Sequence, residues 1–316
     1  NQVLLDIMLS YKSDLKDELP NAFIVIDKGN TRTIAYVDNT KMRKVIYKIE
    51  YKSMKDKLLP TKIINFEFNY TINFKYLWLM IYINDLTSVS SLGSDELTIV
   101  DSLSHTDRCY LTYRDDLLNE HKGSYFGQIK AKLPRLDDYP EHKSRNSAVL
   151  AYLADSIKDS IEKLKQKYGK DRIAIILGTS TSGLDKTESE IRLFLTTGKR
   201  SKDFYYKSQE FGDPSMFLAD YLEIDGPAYT ISTACSSSAR ALICGKRMLE
   251  SGLVDAVIAG GADTLCKVPI NGFNSIGLLS FKRCIPFSKN RSGINIGEGG
   301  ALMILTQEKS DLVLLG

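Results

Sequence analysis

The chain has 316 residues, 43% of them hydrophobic and 26% charged, the balance of a globular protein long enough for one large or two modest domains. Its net charge of +3 comes from 42 basic residues interspersed with 39 acidic ones, which excludes the basic stripe or arm of a nucleic-acid binder. No window of about 18 apolar residues occurs to make a transmembrane helix, and five cysteines without a CxxC pair beside only three histidines complete no zinc pattern.

Asn1 is not a start residue and no signal-peptide pattern follows it, so the chain reads as beginning inside a longer sequence. A first run, VLLDIMLSYKSDLKDEL, has apolar residues at helical spacing before Pro20. The segments AFIVID, RTIAYVD, KVIYKIEY and KIINFEFNYTINF then alternate apolar with polar residues and are broken by KGN and DNT turns. That grammar predicts a small antiparallel meander over the leader.

From residue 80 the pattern becomes strands alternating with longer helical segments, which implies an α/β fold with a mostly parallel sheet. MIYINDLTSV reads as its first strand. NSAVLAYLADSIKDSIEKLKQKYG reads as a helix stopped by Gly169, and RIAIILGTSTSG as a buried strand with a small-residue loop. PSMFLADYLEIDGP is a further helix, AYTIST the strand after it, and SSSARALICGKRMLESG a helix ended by Gly252. LVDAVIAGGAD closes the series as another buried strand.

Cys235 falls between AYTIST and that helix, with Ala234 before it and three serines after it. Small neighbours leave an electrophile room, and the unpaired N–H groups of a helix start favour an anion such as a thiolate. This is a nucleophile's position; a small residue filling a tight turn is the plainer alternative. Cys244 and Cys266 lie in apolar or mixed runs that suit packing, while Cys109 and Cys284 stand in polar segments without partners. The GTSTSG and GEGG stretches lack the lysine and spacing of a phosphate loop, and their glycines point to close backbone approach. His105, His121 and His142 lie in polar sequence far upstream and are poor candidates for a catalytic base.

GPAYTISTACSSSARAL closely resembles the active-site segment of β-ketoacyl-acyl-carrier-protein synthases, whose nucleophile is the cysteine of a Thr-Ala-Cys core. In the same order, DAVIAGGAD, INGFNSIGLLS and PFSKNRSGINIGEGGALMIL resemble the strand after the nucleophile helix, a Gly-Phe segment by the acyl pocket, and the Pro-Phe…Gly-Glu-Gly signature. The wording is most similar to synthases of aryl-polyene-type clusters. Ile285 and Ser288 depart from the family's Arg before Pro-Phe and Asp after it.

The resemblance implies that residues 80–316 form the first half of a thiolase-like fold, a mostly parallel mixed sheet with helices on both faces, with Cys235 as nucleophile and Phe273 by the acyl pocket. It implies acyl transfer to Cys235, then decarboxylative condensation with a malonyl-carrier thioester, in fatty-acid, polyketide or aryl-polyene assembly. The implied partners are an acyl carrier protein and a second ketosynthase-like subunit in a homodimer or heterodimer, with neither cofactor nor metal; the odd number and wide spacing of the cysteines suggest reduced thiols in a cytoplasmic protein. The family's two histidines and lysine belong to a half that would follow Gly316, so residues 80–316 alone are not expected to complete a cycle. Residues 1–79 resemble, more weakly, the C-terminal part of LolB-like lipoproteins, which implies a separate reading unit joined near Met80; a genuine N-terminal extension of one enzyme is the alternative. Two rivals are a non-catalytic ketosynthase-like subunit, which the presence of Cys235 opposes, and a different cysteine enzyme such as a hydrolase.

Overall fold

The computed structural model describes residues 22–28, 31–37, 44–54, 57–65, 70–73, 80–105, 107–119 and 123–315. The chain divides into two compact units, Asn1–Trp78 and Leu79–Gly316.

In the first unit, β1 (Ala22–Lys28), β2 (Thr31–Val37), β3 (Lys44–Met54), β4 (Lys57–Asn65) and β5 (Tyr70–Asn73) pair antiparallel in chain order. This is the meander the alternation predicts. The run KIINFEFNYTINF is not one strand: it folds back so that Lys62 faces Asn73 and Asn65 faces Tyr70. The β3–β4 register slips between Glu50 and Tyr51, where Pro60 stands opposite; a residue without an N–H belongs at such a bulge. The helix expected before Pro20 lies outside the described residues.

The second unit runs through β6 (Ile81–Val89), helix α1 (Glu96–Ser104), a hairpin of β7 (Leu111–Arg114) and β8 (Ser124–Gly127), then α2 (Arg145–Ser156) and α3 (Lys158–Tyr168). There follow β9 (Ile173–Gly178), α4 (Leu184–Thr197), α5 (Asp213–Leu222), β10 (Ala228–Ile231), α6 (Ser237–Glu250), β11 (Ala256–Asp263), α7 (Lys267–Ser275), β12 (Gly299–Thr306) and β13 (Leu312–Leu314). The expected helix over residues 146–169 is in fact two, α2 and α3, because Ile157 leaves helical geometry at φ −119° and ψ 22°. Its side chain is buried there, so packing holds the break.

Six strands form one mixed sheet in the order β10-β9-β11-β12-β6-β13. Pairing is parallel across β10, β9 and β11 and antiparallel from β11 through β12 and β6 to β13. Period-two alternation sends Ile173, Ile175 and Leu177 to one face, where Val149, Leu150 and Leu153 of α2, Ile161 of α3 and Phe217 of α5 meet them. Ala174 and Ile176 point to the other, against Ala241 and Leu249 of α6. His142 is sealed under the first face between Asp213 (2.6 Å) and Asp220 (3.3 Å). α4, by contrast, buries none of its residues.

Candidate active site

β10 ends at Ile231 and α6 begins at Ser237, and between them Ala234–Ser236 form one tight 3-10 turn carrying Cys235. Ala234 sits at φ +53°, a left-handed conformation that costs an L-residue about 1 kcal/mol or more and persists only where the surroundings impose it. They do so through hydroxyls. The Ser237 hydroxyl accepts from the Thr233 amide (2.9 Å) and donates to the Ala234 carbonyl (2.7 Å), while the Ser236 hydroxyl donates to the Thr233 carbonyl (2.9 Å). The sequence suggests these serines merely as small neighbours; the fold uses two of them as the clasp of the turn.

The thiol so presented is exposed, alone among the five free cysteines. The Cys235 amide donates to no acceptor among the described residues. Cys266 is the opposite case, buried to 1% exposure, with burial pushing its thiol up to about 12. Cys244 packs partly buried against the core beneath α6, and Cys109 and Cys284 are half-buried.

Glycines let the turn sit close to the sheet. A Cβ on Gly178 would stand 2.4 Å from the Ser238 nitrogen, and one on Gly261 would meet the Gly178 carbonyl at 2.1 Å and the Ser238 hydroxyl at 2.7 Å. The ends of β9 and β11 therefore carry the first turn of α6 by backbone contact. Gly183 and Gly297 likewise lie against the backbone of Ser208 and Gly127, the close approach that GTSTSG and GEGG suggest.

A cavity of about 470 Å³ opens beside this turn, lined by Ser238 and Leu242 of α6, residues 260–263 of β11, residues 297–301 and Met303. Neither Cys235 nor Phe273 lines it; Phe273 lies half-buried on α7. Glu298 at its edge is itself buried. It takes the Arg145 guanidinium on both oxygens, with Nε at 2.8 Å, and the Ile129 amide at 2.8 Å. That pairing raises the Arg145 pKa above its ordinary value and joins the start of α2 to the glycine segment before β12.

Among the described residues, neither His105 nor His142 is paired with Cys235. His142 is held in its carboxylate pairs, His105 bonds to the Asp101 carbonyl at 2.8 Å on α1, and His121 lies outside the described residues. No described helix is long and apolar enough to cross a membrane.

Residues 150–310 match the family model for the N-terminal domain of β-ketoacyl synthases. The fold is similar to that of the ketosynthase ApeO from Xenorhabdus doucetiae, solved in complex with its chain length factor ApeC: 43% identity and a TM-score of 0.71 over 75% of this chain and 60% of that one. A 3-oxoacyl-[acyl-carrier-protein] synthase 2 of Synechocystis is 29% identical over 45% of this chain and 36% of its own length. Nodulation protein E of Rhizobium meliloti is 28% identical over 42% and 34% respectively. The chain thus spans about a third of the length of these two curated relatives.

Proposed function

The chain belongs to the β-ketoacyl synthase family, and from that membership we propose that Cys235 is the nucleophile of an acyl-transferring condensing enzyme. The observation that carries this reading is an exposed thiol on a clasped strand–turn–helix junction whose preceding residue is held in the left-handed region. In the proposed reaction the Cys235 sulfur attacks the carbonyl of an acyl thioester, a new C–S bond forms, and the carrier's thiol leaves. A malonyl thioester then loses carbon dioxide, and the carbanion formed displaces the acyl group from sulfur. Covalent storage keeps the two steps separate. The free Cys235 amide suits the oxyanion that each step builds.

The carrier is an acyl carrier protein, and the second subunit is a ketosynthase-like chain, as the complex of ApeO with its chain length factor suggests. The 43% identity to ApeO favours the aryl-polyene-type branch with which the sequence wording agrees. Phe273 is proposed to line the acyl pocket and the cytoplasm is the proposed location. Residues 1–79 are proposed to be a leader of separate, lipoprotein-like origin and residues 80–316 the synthase portion; the compact units divide at Trp78 and Leu79.

The test is acyl loading, read as intact mass after incubation with an acyl-carrier donor. The protein with Cys235 unchanged should gain one acyl group, and Cys235→Ser should gain none while keeping its melting temperature. A serine hydroxyl is far less ionised than a thiol. An adduct that persists in Cys235→Ser moves the nucleophile elsewhere.

A further inference from the structure

Asp263, the last residue of β11, is held at a single oxygen. Its Oδ1 accepts from the Thr179 hydroxyl (3.0 Å), the Ser180 amide (2.7 Å), the Thr181 amide (3.0 Å) and the Thr181 hydroxyl (3.0 Å). The Thr181 hydroxyl accepts in turn from the Thr264 amide at 3.1 Å, so the loop after β9 and the end of β11 are tied in both directions. Four hydrogen bonds on one atom leave the loop little freedom.

The same loop supports the strand that delivers Cys235. The Thr179 amide donates to the carbonyl of Ile231, the final residue of β10, at 3.2 Å. Two residues before Asp263, Gly261 lies against the Gly178 carbonyl and the Ser238 hydroxyl. One carboxylate therefore binds together the ends of β9 and β11, and through Thr179 that of β10, next to the turn that presents the thiol.

We propose that Asp263 is a positioning residue for Cys235: its clamp on residues 179–181 holds the strand ends in the arrangement that keeps the turn at 233–237 tight and its thiol reactive. The inference rests on the reading of Cys235 as nucleophile. It works through geometry and not through charge, since all four bonds fall on Oδ1, an acceptor that the amide of an asparagine keeps.

The experiment uses the full chain, unchanged and as Asp263→Asn and Asp263→Ala. Iodoacetamide alkylation of Cys235 is followed by peptide mapping, with Cys109 and Cys284 as internal references, and amide exchange is followed at residues 180 and 181. In Asp263→Ala the turn relaxes, so Cys235 should react about tenfold more slowly relative to the references, less than the roughly hundredfold that a 1 Å misplacement can cost in an active site, and the two amides should exchange faster. Asp263→Asn should stay within about threefold of the unchanged chain, since its amide oxygen still accepts these bonds. An unchanged Cys235 rate in Asp263→Ala overturns the proposal, and so does an equal change in both variants, which would make the charge the active element. Should Asp263→Ala fail to fold, Thr181→Val removes one of the four bonds and should slow Cys235 in the same direction; an unchanged rate there overturns the proposal as well. Failure of the nucleophile reading shows in a different sample: in the unchanged chain Cys235 would react no faster than Cys109 or Cys284.

Discussion

On one face of the six-stranded sheet Ile173, Ile175 and Leu177 lie under α2, α3 and α5, whereas on the other, among the described residues, Ala174 and Ile176 meet α6 alone. The first face also seals the His142–Asp213 pair. The second leaves Leu86 of β6 at 49% exposure and Ile243 of α6 at 39%. The difference separates two tasks: dense packing on the first face provides rigidity, and the thinly covered face carries the exposed thiol in a turn that its surroundings hold under strain.

Phe217→Ala, under the covered face, should cost about 3–5 kcal/mol of stability, seen as a fall in the midpoint of denaturant unfolding. If it costs no more than a surface change, the first face is not what holds the unit together.

Gly261→Ala should cost less, about 1–3 kcal/mol from overpacking, yet act more sharply on the site. The added methyl would stand 2.1 Å from the Gly178 carbonyl and 2.7 Å from the Ser238 hydroxyl, forcing α6 from its seat. Cys235 should lose its preference in thiol labelling while circular dichroism keeps its helix signal.

Cys266 sharpens the contrast by pH. Burial holds its thiol protonated up to about 12, whereas an unfolded cysteine ionises near its ordinary ~8.5. The folded state therefore binds the extra proton between these values, so its contribution to stability is complete below the lower value and falls as pH rises toward the upper one. Melting temperatures above pH 9 should decline less steeply in Cys266→Ala, once corrected for its lower starting stability. In native protein at pH 8, Cys235 should label and Cys266 should not.

The smallest effect belongs to Ile243→Ala on the thin face, which should stay within about 0.5 kcal/mol, as surface substitutions usually do. A loss comparable to that of Phe217→Ala would erase the distinction between the faces.

Much of this was legible in the chain because it is local. Strand and helix periods place β6, β9, β10, β11 and α6 to within a few residues, and a cysteine among small residues between a strand and a helix marks the exposed thiol. α1, α4 and the β7–β8 hairpin escape that reading. α4 carries Ile191, Phe194 and Leu195 at helical spacing, yet it buries none of its residues and leaves these three exposed. Ala234 gives no signal either, since nothing in an alanine announces φ +53°.

By itself the sequence determined many of the strands and helices, among them β6, β9, β10, β11 and α6, the antiparallel leader, and the small-residue junction that holds Cys235, since each depends on neighbours within a few positions. Only the tertiary structure decided that Asp263 grips residues 179–181, that Arg145 meets Glu298, that His142 pairs with Asp213, and that Gly178 and Gly261 together seat α6. The three side-chain pairs lie between 71 and 153 residues apart, and whether they meet is set by strand order and register, which local periodicity does not encode.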